Sequence, residues 1–132
     1  GAAKLVTVSR AGAQAPALYS CEQRIGYAQL AQVTGELLVN TTPVGMFPST
    51  AQSPVDGKII SQFDAVADLI YNPLETLFLG QAKKQGKRCC SGLTMLVAQA
   101  CRAQEIWLGR SIPQQMEDQL EEWLRLKLHK GE

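Results

Sequence analysis

Three short stretches hold most of the residues able to do chemistry. Asn40-Thr41-Thr42-Pro43-Val44-Gly45-Met46 gathers amide and hydroxyl groups directly after an apolar run. Asp68-Leu69-Ile70-Tyr71-Asn72-Pro73-Leu74-Glu75-Thr76 does the same around a tyrosine. Ser91-Gly92-Leu93-Thr94-Met95-Leu96-Val97-Ala98-Gln99-Ala100 opens a helical pattern on small residues. Hydroxyls and backbone amides at such corners can line a ribose or a phosphate, and Gly45 permits positive φ or a close backbone approach. An Asn/Thr-rich turn satisfies the same local pattern without a ligand. Tyr71 sits where its hydroxyl can face a cleft, or can be a half-buried structural group. Met95 and Gln99, one helical turn apart, share a face distinct from that of Leu93, Leu96 and Val97. Met95 is equally suited to plain packing. Gly92 leaves the first amides of the helix open to a ligand. Ser9-Arg10 follows an apolar strand pattern with no acidic residue beside it, so Arg10 is either a surface charge or an anion contact.

The elements that must position these groups read as strands alternating with helices. Leu5–Val8 is a β-branched run and a buried strand. Residues 11–36 are weakly patterned, and an abbreviated, loop-rich connection is expected, with at most one helical turn over Tyr27–Gln32. Leu37–Val39 reads as the next buried strand, Phe47–Gly57 as a loop, Ala65–Ile70 as a third strand and Lys87–Cys90 as a fourth. Asn72, Pro73 and Glu75 match a helix start, with a capping residue, a proline at the first position and an acid three residues after the cap. Leu74, Leu77, Phe78 and Ala82 would be that helix's apolar face, and Gly86 its end. A helix from Leu93 to Leu108 would bury Leu93, Leu96, Val97, Ala100 and Trp107 before Gly109 stops it. Pro113 would open the last helix, with Met116, Leu120, Trp123 and Leu124 as its stripe. Acids in its first half and bases in its last suit the helix dipole. This order predicts an α/β fold with a mostly parallel sheet and C-terminal helices.

At 132 residues one domain is expected; a net charge of +1 argues neither for nor against nucleic acid, but no basic run is long enough for a nucleic-acid patch. The four cysteines form no CxxC and there is one histidine, so no zinc spacing exists. Free thiols in a reducing cytosol are expected, with Cys89 and Cys90 on opposite faces of a strand. His129, near the end of the last helix, has no orienting partner in view for a catalytic role. No apolar run is long enough to span a membrane, and no signal peptide opens the chain.

Taken in order, the three corner motifs resemble the cofactor-binding half of shikimate dehydrogenase, an NADP-dependent oxidoreductase of aromatic amino-acid biosynthesis. The resemblance implies a partial Rossmann-like domain and NADP as cofactor, with Ser9 and Arg10 at the 2′-phosphate. It implies that Asn40, Thr41 and Thr42 contact the cofactor. Leu69 would offer its backbone to the nicotinamide, with Gly92 and Met95 against it, and Tyr71 and Gln99 would reach shikimate. The family often has Asn-Arg-Thr where this chain has Ser9-Arg10-Ala11, and Gly where it has Thr94.

The family's catalytic Lys–Asp pair and glycine-rich phosphate loop have no counterpart here. The resemblance therefore implies a chain that starts inside the dinucleotide fold, supplies no catalytic residue and is inactive alone. With the usual strand order 3-2-1-4-5-6, the missing first strand would leave two inner edges, to be met by closure of the gap, strand exchange between copies in a homodimer, or proteolysed partner segments absent from the sequence. A quinate-preferring relative and a non-catalytic nucleotide-binding module are the alternative functions.

Overall fold

The computed structural model describes residues 3–12 and 22–129. The chain divides into two compact units, Gly1–Gly35 and Glu36–Glu132. In the first, β1 (Leu5–Val8) pairs in parallel with β2 (Glu22–Ile25), Leu5 opposite Glu22 and Val8 opposite Ile25. The short α1 (Tyr27–Leu30) follows and buries Leu30. The strand β2 lies inside the stretch expected to be loop-rich. Its sequence, Glu-Gln-Arg-Ile, has little strand preference of its own, and pairing with β1 makes it a strand. Cys21 falls outside the described residues.

The second unit holds a three-stranded sheet in the order β3-β4-β5. These are Gly35–Asn40, Phe63–Asp68 and Arg88–Cys90, with β4 and β5 parallel. Between β3 and β4 a short helix, α2 (Gly57–Ile60), begins where a loop was expected to end, and the Asp56 carboxylate caps it by accepting from the Ile59 amide at 3.0 Å. Between β4 and β5 runs α3 (Leu77–Lys84), packed on both strands. Ile60, Val66, Phe78, Leu79 and Ala82 form the core under it, joined by Leu38 and Cys89. Cys90 on the opposite face is exposed, as strand alternation requires.

Three expectations are corrected here. The strand β3 is not buried on both faces. Leu38 meets the core, but Leu37 and Val39 are 55% and 42% exposed because strand alternation puts them on the opposite, uncovered face. The helix after β4 does not start at Asn72. Residues 72–75 are bends, and Thr76 is the cap, its hydroxyl accepting from the Leu79 amide at 3.3 Å. Its end is as expected, with Gly86 in the left-handed region at φ 71°. The last two helices, α4 (Gly92–Leu108) and α5 (Gln114–His129), pack on each other. Their stripes differ from expectation: Leu93, Val97 and Cys101 are buried in α4, whereas Ala100, Trp107, Met116 and Trp123 are exposed.

Glu105 ties the last turns of α4 to the connection that precedes α5. One carboxylate oxygen accepts from the Ile112 amide at 2.8 Å and the other from Arg102 at 2.6 Å. The Ile112 amide first, and Arg102 second, hold its carboxyl below the ordinary value of 4.5. A depressed folded-state pKa contributes stability above the unfolded value, and that contribution is lost as pH falls through the folded one. The protection of the Ile112 amide, its exchange taken relative to the intrinsic rate at each pH, is therefore expected to fall below pH 4.5 in the wild type. In Glu105→Gln, which keeps an acceptor but no charge, that acid step should be absent.

Candidate functional site

The three corners converge at one end of the second sheet. Asn40 closes β3 and Asp68 closes β4, and the two side chains meet directly, Asn40 Nδ2 donating to Asp68 Oδ1 at 3.0 Å. The ladder continues past the strands, with the Leu69 amide donating to the Asn40 carbonyl at 3.1 Å. The Gly92 amide, at the start of α4, donates to the Ile70 carbonyl at 3.1 Å, and the Phe47 amide to the Asn72 carbonyl at 3.1 Å. Each corner is thus pinned to its neighbour through the backbone.

Gly92 is the tightest point. A Cβ placed on it would lie 2.0 Å from the Leu69 carbonyl oxygen and 2.4 Å from its carbon. No side chain fits there, so the residue must be glycine for α4 to begin against the β4 exit. From Gly92 a stripe runs through Met95 and Gln99, three and seven residues along the helix and on one face. Both are exposed, Met95 by 45%, and Leu69 at the head of the stripe is 39% exposed. Tyr71, two residues beyond Leu69, is 43% exposed.

At the first corner the groups divide by role. Asn40 is buried and uses both ends of its amide. Its oxygen accepts from the Thr42 amide and hydroxyl at 3.0 and 2.7 Å, and its nitrogen also donates to the Val44 carbonyl at 3.2 Å. The Thr42 hydroxyl in turn accepts from the Val44 amide at 3.2 Å. Thr41 is exposed. Gly45 takes φ 98°, packed against the Gln52 carbonyl. A hollow of about 780 Å³ opens beside the same loop, lined by Phe47, Asn72, Thr76, Lys84 and Lys127 among others. It lacks Leu69, Met95 and Gln99, so it is not the hollow these corners would form with a ligand.

Ser9 and Arg10 belong to the other unit. Arg10 is exposed, and Ser9 directly follows β1, its amide donating to the Ile25 carbonyl at 3.2 Å. The Ser9 hydroxyl oxygen is buried without a partner among the described residues. Among the described residues no cluster of three or more His, Cys, Asp or Glu could hold a metal, and no helix is long and apolar enough to cross a membrane. Sequence reasoning missed Asp68 and Thr76 as members of this site. A buried acid at a strand end was the available signal, but its partners lie 28 and 8 residues away.

Parallel strands joined by a crossover helix, with small and polar residues at the carboxyl ends, define an α/β protein of the Rossmann-like class. The chain belongs to the shikimate dehydrogenase family. A shikimate dehydrogenase (NADP(+)) of Clostridium perfringens strain 13 is 40% identical over 104 residues, 78% of this chain and 38% of the relative. A chorismate mutase/shikimate 5-dehydrogenase fusion protein from Clostridium acetobutylicum superposes with a TM-score of 0.90 at 37% identity, over 96% of this chain and 46% of that one. A shikimate dehydrogenase solved in complex with NADP+ gives a TM-score of 0.58 at 35% identity, over 65% of this chain and 30% of that one. The chain therefore spans less than half the length of each of these relatives. No protein-family model matches the sequence.

Proposed function

We propose that this chain contributes part of the cofactor- and substrate-facing wall of an NADP-dependent shikimate dehydrogenase, which reduces 3-dehydroshikimate to shikimate in the cytoplasm. In this reading the two units belong to one nucleotide-binding domain. The observation that carries it is the Gly92 contact: it brings the Leu69 backbone against a helix whose outward stripe is Met95 and Gln99. Leu69, Gly92 and Met95 would hold the nicotinamide ring. Thr41 is free to meet the ribose or phosphate, while Asn40 and Thr42 shape that corner from within. Tyr71 and Gln99 would hydrogen-bond the hydroxyls of the substrate. Ser9 and Arg10 would receive the 2′-phosphate, the feature that separates NADP from NAD.

NADPH supplies the hydride when bound; what these residues do is orient the ring and the substrate. No residue of this chain is assigned the acid that protonates the developing alkoxide. The chain on its own is therefore expected to oxidise no NADPH in the presence of 3-dehydroshikimate, and steady turnover by chain free of full-length enzyme would overturn that assignment. Because β3 ends its sheet, pairing or strand exchange between two copies is a further part of the proposal, read out as a dimer in sedimentation.

The wall itself is tested by titrating NADP+ with shikimate into 15N-labelled chain. Weak binding is expected, with amide shifts confined to Leu69, Gly92, Met95 and Gln99 and to the Ser9-Arg10 turn. Shifts around Thr50 and Lys84 in the hollow instead would defeat the reading. NADP+ should bind more tightly than NAD+, and Arg10→Ala should erase a preference of about 10-fold, the scale of one hydrogen bond to a charged group.

A further inference from the structure

The Asp68 carboxylate is buried at the end of β4, between the Asn40 corner and the Leu69–Tyr71 exit. One oxygen accepts from Asn40 Nδ2 at 3.0 Å and from the Ile70 amide at 3.1 Å. The other accepts from the Thr76 hydroxyl at 2.6 Å. The Thr76 hydroxyl is also the cap that accepts from Leu79 at the start of α3. Asn40 passes the link on to Thr42, and Thr42 to Val44. The same acid's Ile70 link fixes the turn whose carbonyl receives the Gly92 amide.

We infer that Asp68 is a positioning residue that sets the Asn40–Val44 corner, the Leu69–Tyr71 exit and the α3 cap as one unit. A side-chain network confined to low-dielectric surroundings acts as a whole, because an unpaired member there is costly. A ligand contact at Thr41 and one at Leu69 or Tyr71 are then not independent: loosening one corner loosens the others. That these corners face NADP and shikimate rests on the function proposed above; their coupling does not.

Native-state amide exchange on the 15N-labelled chain tests the coupling without ligand. Four amides report it, those of Thr42, Val44, Ile70 and Leu79, each donating to a side-chain oxygen of the network. In Asp68→Asn all four are expected to exchange at least tenfold faster, while Val66 and Val97 keep their wild-type rates. That split separates positioning from plain stability, since global destabilisation would move the core amides equally. Acceleration at Ile70 alone, or a uniform acceleration, overturns the inference. Should Asp68→Asn fail to fold, Thr76→Val and Thr76→Ser decide it. The valine variant should speed Thr42 as well as Leu79, and the serine variant, which keeps the hydroxyl, should restore both. An effect of the valine variant limited to Leu79 overturns the coupling. Adding NADP+ with shikimate to the same samples asks the separate question of which ligand the coupled corners meet.

Discussion

Gly92→Ala is expected to lower the thermal midpoint of this chain by about 10 °C or more. The added methyl would stand 2.0 Å from the Leu69 carbonyl oxygen and 3.1 Å from the Ile70 carbonyl carbon. These are backbone atoms and cannot swing aside as a side chain can. Relief requires moving the start of α4 away from the β4 exit, which breaks the Gly92–Ile70 hydrogen bond and uncovers Leu93. Overpacking of a well-filled site costs about 1–3 kcal/mol and more when the neighbour is rigid. At the upper end this corresponds to roughly 10 °C for a domain of this size. Gly80→Ala is the control. The nearest atom to a Cβ there is the flexible carboxylate end of Glu75, at 3.3 Å, and α3 gains a better helix former worth about 0.5–1 kcal/mol. Circular-dichroism melts of the two variants should move in opposite directions. Equal midpoints would mean that the α4 start is not held as described.

The second large effect is expected from Phe78→Ala. Phe78, on α3, is among the largest buried side chains, 1% exposed, in the core with Ile60 of α2 and Val66 of β4. Truncating a buried phenylalanine costs about 3–5 kcal/mol, against a total of about 5–15 kcal/mol for a typical domain. The second unit should be marginal or unfolded at 37 °C. Its neighbour Leu77, 41% exposed, is the contrast: Leu77→Ala should cost under about 1 kcal/mol. Urea unfolding followed by tryptophan fluorescence reads both. The phenylalanine variant also bears on function, because Phe78 lies two residues after the Thr76 cap and anchors the helix that the cap begins.

What the sequence made legible follows from the range of each signal. The β4–α3–β5 crossover, the Gly86 and Gly109 stops and the opposite faces of Cys89 and Cys90 are local patterns, and they stand in the structure. The start of α3 was misread because two cap signals compete within five residues. Asn72-Pro73 followed by Glu75 looks complete, but Thr76 wins through a bond to Asp68 that no local pattern reveals. Leu37-Leu38-Val39 looks buried because apolar runs usually are. Only one face of β3 is covered, and strand alternation leaves only Leu38 on it. Glu22–Ile25 carries no strand signal and depends on β1. At the site, the outward stripe of Met95 and Gln99 was readable from helical spacing. The inward role of Asn40 was not, since its partner is 28 residues away.

The buried Asn40–Asp68–Thr76 linkage also divides the wall by how freely it can drift over evolutionary time. Replacing Asp68 takes from Asn40 and Thr76 the acceptor they share, and replacing Asn40 or Thr76 takes a donor from the buried carboxylate, so successful change at one requires simultaneous change elsewhere, a rare event. Thr41, Leu69 and Met95 carry no such obligation and face outward. Among natural relatives, diversification of ligand preference should therefore accumulate at positions 41, 69 and 95, against a frozen trio at 40, 68 and 76.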